Sequence, residues 1–168
     1  MSSEVMHGSF TIERNYAAPP AKVFDTFADA ATKRRWAVEG PGVEVVEHSL
    51  DFRVGGREKS RVRFMAQFEG APPEGTAMGN DSTYLDIVPN QRIVSANVMV
   101  MGDQRMSASL ITVQLFAAGK GTRLVLTEQT AYFERAFARE EESSDGPKLR
   151  EEGFRQWLAR IDSVLSPD

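Results

Sequence analysis

The stretch Asp51-Phe52-Arg53-Val54-Gly55-Gly56-Arg57-Glu58-Lys59-Ser60 sets two adjacent glycines between two charged, strand-like segments. Side chains other than glycine's rarely adopt the positive φ angles that sharp bends use, so the pair marks a bend in the backbone rather than a strand interior. Strands continue after the bend, and the only long amphipathic segment lies at the C-terminus. The combination predicts a curved antiparallel sheet gripping a C-terminal helix, an architecture that encloses a cavity.

The pattern along the chain agrees. Phe10 to Tyr16 alternates apolar and polar residues, the period-2 mark of a half-buried strand. Pro19-Pro20 ends it and opens a short helix with Val23, Phe24 and Phe27 on one face; Asp29 is placed to cap a second short helix that ends near Trp36, before Gly40-Pro41-Gly42. Strands follow at about 43–51, 57–68, 77–88, 91–101, 106–117 and 121–132, with Pro89-Asn90, Gly102-Asp103 and Gly119-Lys120-Gly121 as turns between the last four. A final helix runs from Asp145-Gly146-Pro147 to about Leu165, its apolar stripe read as Leu149, Phe154, Trp157, Leu158, Ile161, Val164 and Leu165. The fold class is α+β: a seven-stranded meander, two short helices and one long C-terminal helix.

A chain of 168 residues fits a single domain, residues 1–168, with 1–8 as a flexible N-terminus and 134–146 as a solvated acidic loop. At this length roughly two-thirds of the unfolded surface is buried, so no staple is required. With 24 acidic and 20 basic side chains and no Lys/Arg block, nucleic acid is not an expected partner. The absence of cysteine excludes disulfides, thiolate nucleophiles and Cys-based metal sites, and the two histidines, His7 and His48, match no ligand spacing, so neither metal nor cofactor is expected. Met1 to Ser9 lacks the apolar core of a secretory signal and no apolar run reaches membrane-spanning length, so the expected location is cytoplasmic, without membrane insertion.

Alternation assigns inner faces. Leu124, Leu126 and Glu128 share one face of the last strand, and Ile111, Val113 and Leu115 form the inward set of the strand before it. Val62 and Phe64 oppose Lys59, Arg61 and Arg63, which puts Glu58 and Ser60 inside; residues 91–101 are apolar on both faces and the test fails there. Two carboxylates, Glu58 and Glu128, thus fall on faces otherwise chosen for apolar side chains, where an unpaired charge is costly. Arg53, Arg57 and Arg105 are the expected partners. Each Glu reads either as a structural ion pair or strand-end residue or as a cavity acid/base. Gly153, inside the last helix, reads as a site of close approach to the sheet or of room for a bound molecule.

Together these stretches resemble the Hsp90-ATPase-activator-like branch of the START/Bet v 1 (SRPBCC) superfamily, whose bacterial stand-alone members are often labelled polyketide-cyclase-like. The resemblance rests on Ala18-Pro19-Pro20-Ala21-Lys22-Val23-Phe24 with Trp36, on the double-glycine segment through Glu58, on Tyr84 to Val94, on Gly121 to Gln129, and on Gly153. It implies a helix-grip fold with a cavity between sheet and C-terminal helix. Members that stimulate Hsp90 carry a separate N-terminal chaperone-binding domain, whereas here the first strand begins near residue 10, so Hsp90 is not an expected partner.

Three functions compete. The first is binding of a small apolar or amphipathic molecule, with Trp36, Phe64, Ile111, Val113, Leu126, Phe154 and Trp157 as lining and Glu128 as polar anchor. The second is an enzyme of the cyclase, dehydratase or hydrolase kind using Glu128 or Glu58. The third is an Hsp90-related or stress-response accessory protein. The scarcity of catalytic residue types favours a non-enzyme, and an open sheet edge admits a homodimer.

Overall fold

The computed structural model describes residues 4–66, 73–133 and 146–166. Its element order is β1 (Met6–Tyr16), α1 (Pro20–Ala28), α2 (Ala30–Lys33), a π-helical turn (Arg34–Val38), β2 (Val43–Leu50), β3 (Arg57–Phe64), β4 (Ala77–Val88), β5 (Arg92–Met101), β6 (Gln104–Ala118), β7 (Gly121–Tyr132), α3 (Gly146–Ala159) and α4 (Ile161–Leu165). The seven strands form one antiparallel sheet in the order β1-β7-β6-β5-β4-β3-β2. Consecutive strands from β2 to β7 are neighbours, and β1 closes beside the last strand.

Boundaries differ from the sequence reading in three places. Residues 6–8, expected to lie outside the fold, extend β1 and pair with Thr130, Ala131 and Tyr132. Strand β3 stops at Phe64 rather than 68, and the C-terminal helix breaks at Arg160 into α3 and α4. The expected acidic loop falls almost wholly outside the described residues.

Both glycines of the bend are required, for different reasons. Gly55 has φ +81° with open space around it. Gly56 has no unusual φ, but a Cβ there would overlap the Asp51 carbonyl oxygen and lie 2.9 Å from that of Arg53. The bend then docks on β4: the Gly55 N–H donates to the Tyr84 carbonyl at 2.8 Å, and the Tyr84 N–H to the Gly56 carbonyl at 3.0 Å.

The helices cover one half of the inner face. Pro20 occupies the first turn of α1, where its missing N–H costs nothing, and Val23, Phe24 and Phe27 turn inward. The Asp29 side chain accepts from the Thr32 N–H at 2.8 Å, the predicted N-cap of α2. Trp36, fully buried, donates from Nε1 to the Thr26 carbonyl at 2.8 Å and packs on Phe27 and Trp157, ring centres 5.0 and 4.9 Å away. From α3 and α4, Leu158 and Ile161 close over Ile12, Val113, Leu124 and Leu126. Each such side chain contributes about 1.5–3 kcal/mol through area removed from water. The Tyr16 hydroxyl donates to the Leu158 carbonyl at 2.8 Å, tying β1 to α3 inside the core; burial, the largest influence, pushes its pKa up against the Arg14 charge.

Leu149 departs from expectation, at 68 % exposure. The reason is angular. At 100° per residue, Arg150, Phe154, Trp157 and Ile161 share a stripe, while Leu149 lies five residues before Phe154 and points well away from it. At Gly153 a Cβ would meet nothing within 4 Å, which excludes the first of its two expected roles, close approach of helix to sheet.

Candidate functional site

Register carries each inner position across the sheet and divides that face into rows. Ile87, Ile93, Val113, Leu126 and Ile12 lie opposite one another, an all-apolar row beneath the helices. The next row is Tyr84, Ser95, Ile111, Glu128 and Phe10. Beyond it come Glu58, Ser82, Asn97, Ser109, Thr130 and Gly8, and then His48, Ser60, Asn80, Met99, Ser107, Tyr132 and Met6. The same register resolves the face of β5 that alternation left open: Ile93, Ser95, Asn97 and Met99 point inward. Small polar side chains therefore make a band across the sheet, yet Asn97, Ser107, Ser109, Glu128 and Thr130 are buried. Such groups carry a desolvation cost unless each finds a partner.

At one end of the band the charged groups do. Lys33, the last residue of α2, reaches the sheet and donates from Nζ to Glu58 Oε2 at 2.5 Å and to the Tyr84 hydroxyl at 2.9 Å. Tyr84 donates to the same Oε2 at 2.6 Å, and His48 Nε2 lies 3.1 Å from Oε1. Burial works to raise the Glu58 pKa, but the Lys33 ammonium and the hydrogen bonds from His48, Lys33 and Tyr84 outweigh it and hold the carboxyl at about 2. The Tyr84 phenol is pushed up to about 12, chiefly by burial. Lys33 is held above its ordinary range: burial acts to lower it, and the Glu58 charge overcomes that. This is a closed pair, ionised at neutral pH.

Midway, Ser82 donates to Asn97 Oδ1 and Asn97 Nδ2 to Asn80 Oδ1, both at 3.0 Å. The far end is different. Thr130 donates to Glu128 Oε1 at 2.5 Å, and Arg150 of α3 donates from Nε to the same oxygen. The Arg150 guanidinium also approaches Met99 Sδ at 3.1 Å and sits 5.5 Å over the Phe154 ring. Glu128 Oε2 and the hydroxyls of Ser107 and Ser109 are buried with no hydrogen-bond partner among the described residues. Burial, first, pushes up the pKa of the neighbouring Tyr132 phenol, with Arg150 opposing and Glu128 adding.

The sequence-derived site residues separate accordingly. Ile111 lies opposite Glu128, while Phe154 packs on Phe10 and Trp157 with ring centres 5.5 and 5.3 Å away. Trp157 donates from Nε1 to the Ala37 carbonyl at 2.8 Å. Trp36, Val113 and Leu126 are packed core, and Phe64 is buried at the far end of β3, outside the main cluster. The expected arginine partners are corrected: Arg53 pairs with Asp51 on the surface, and Arg57 and Arg105 are exposed. Charges on the short helix α2 and on α3, Lys33 and Arg150, replace them. The signal for Arg150 was its place in the α3 stripe. Among the described residues, no group of three or more His, Asp or Glu side chains could hold a metal, and no helix is long and apolar enough to cross a membrane. An open depression of about 780 Å³ lies on the opposite side of the sheet, where Ala96, Ala108 and Ala131 leave room beside His7, Leu110 and Gln129.

The family profile described as "Activator of Hsp90 ATPase homolog 1-like protein" matches residues 17–166. Among solved structures, a Rhizobium loti protein is 46 % identical with a TM-score of 0.77, over 95 % of this chain and 98 % of its own. An uncharacterized protein from Rhizobium leguminosarum is 32 % identical with a TM-score of 0.83, over 98 % of both chains. A Chromobacterium violaceum protein shares the fold at 23 % identity and a TM-score of 0.72, over 95 % of this chain and 98 % of that one. No protein of curated function matches.

Proposed function

Since this chain belongs to the activator of Hsp90 ATPase homolog 1-like family, we propose that it binds a small amphipathic molecule between the polar end of its sheet and α3. One observation carries the reading. Three buried polar atoms, on Glu128, Ser109 and Ser107, lie in successive rows of one face without a partner among the described residues. Leaving each unmet costs about 1–3 kcal/mol, a cost that a bound molecule's own polar groups would offset. Phe10, Phe154 and Ile111 flank them and supply apolar contact for the rest of the ligand. The aromatic wall and the few polar groups are the usual composition of a small-molecule site.

Acid/base chemistry draws less support. A carboxyl held at about 2 by Lys33 is a weak base at neutral pH, so Glu58 is ill suited to proton transfer. Glu128 is engaged by Arg150 and Thr130 on one oxygen. Native mass spectrometry of the purified protein, followed by denaturing extraction, tests the binding reading: a retained compound near unit stoichiometry is expected. A bare apo mass, together with no saturable uptake of a neutral fluorescent probe, refutes it.

A further inference from the structure

The identity of the ligand's polar end follows from the charge and hydrogen-bond balance at Glu128, on the premise that the band is a binding site. We propose that the ligand presents an uncharged hydrogen-bond donor, a hydroxyl or an amide N–H, to Oε2 of Glu128. A carboxylate only accepts, so whatever completes Oε2 must donate. Oε1 already receives Thr130 and Arg150, while Oε2 is buried and receives nothing from the described residues.

Charge decides between a neutral donor and a cation. The Glu128 and Arg150 side chains are 0 % and 9 % exposed and neutralise one another. An ammonium added beside them would leave one buried positive charge without a counter-ion, and a ligand carboxylate would leave one negative charge and face Oε2 directly. A hydroxyl changes the charge by nothing. The Ser109 hydroxyl lies one row beyond Glu128 and that of Ser107 one row further, steps of roughly 7 Å along the strand. Each can give or take a bond, so the pair accommodates a second polar group on the same ligand. The Glu58 end of the band offers no rival, because both of its oxygens are already occupied.

The test uses N-phenyl-1-naphthylamine as a neutral occupancy probe, displaced by decan-1-ol, decyl methyl ether, decanoate or decylamine. Decanol is expected to compete roughly tenfold or more better than the ether, the effect of one hydrogen bond to a charged acceptor, and better than both ions. The preference should disappear in Glu128→Leu/Arg150→Met, which replaces the pair by apolar groups and leaves no lone charge, with thermal melts confirming the fold. Ser109→Ala should retain it. Equal binding of alcohol and ether, or a preference that survives the double substitution, overturns the donor assignment while leaving the binding reading intact. Tightest binding by decanoate overturns it in favour of Arg150 as an anion site. Failure of the probe and every decyl compound to bind removes the binding reading itself.

Discussion

Substituting Lys33 by methionine isolates the energetics of the closed end of the polar band. The Lys33 and Glu58 side chains are 9 % and 11 % exposed, so removing the ammonium strands a carboxylate that water barely reaches. Breaking one side of such a pair costs about 3–5 kcal/mol. The Glu58 carboxyl agrees in sign: burial raises it, but the Lys33 charge and hydrogen bonds from His48, Lys33 and Tyr84 outweigh burial and hold it at about 2, below its ordinary 4.5. Against a total stability of about 5–15 kcal/mol the cost of breaking the pair is large, a fall in Tm on the order of 10 °C. The pH dependence has a definite sign. Because the folded pKa is depressed, the Glu58 contribution is complete above about 4.5 and is lost as pH falls through about 2. Urea unfolding of both proteins at stepped pH should therefore show a gap that narrows as pH falls, first as the stranded carboxylate of the variant, raised by burial, takes up its proton above about 4.5, and then as Glu58 of the parent does so towards about 2. The double substitution Lys33→Met/Glu58→Leu should recover most of the loss, since an apolar pair of similar volume replaces both charges. A gap under about 1 kcal/mol, a gap independent of pH, or a double variant no better than the single would refute the reasoning.

Three further outcomes follow from the geometry. Gly55→Ala should cost about 1–2 kcal/mol for its left-handed backbone, and Gly56→Ala clearly more, because its Cβ meets fixed carbonyl oxygens; thermal melts rank them, and the reverse order would contradict the bend as described. Gly153→Ala should stabilise by up to about 1 kcal/mol, since nothing obstructs the new methyl, and a destabilised variant would show that the position is not open. Tyr16→Phe should lose about 1 kcal/mol in chemical denaturation by removing the hydroxyl bonded to the Leu158 carbonyl; no change would mean that this bond contributes nothing net.

Most of the fold was legible because local chemistry and global topology agree. Turn residues at Pro89-Asn90, Gly102-Asp103 and Gly119 punctuate strands close to where they occur, and the alternation of Leu124, Leu126 and Glu128 identified the buried face of β7. What stayed hidden depends on long-range pairing or on side-chain direction. The face of β5 could not be read, since its outward Val94, Val98 and Val100 are as apolar as its inward Ile93 and Met99. The partners of the two carboxylates arrive from helices 25 and 22 residues away, Lys33 and Arg150, and no strand pattern points to them. A stripe read by hydrophobicity alone chose Leu149 over Arg150, although helical geometry favours the arginine.

The position of β1 also governs how the chain can assemble. Its sole strand partner among the described residues is β7, joined over eleven cross-strand pairs from Met6↔Tyr132 to Tyr16↔Thr122. A hairpin ladder from β2 onward can form from near neighbours, but the first strand made has nothing to pair with until the last is in place. Closing so long a loop is the slow kind of contact formation. The earliest residues of the sheet are thus its latest addition, and α3, which packs across β1, seals a structure whose two ends meet only at completion.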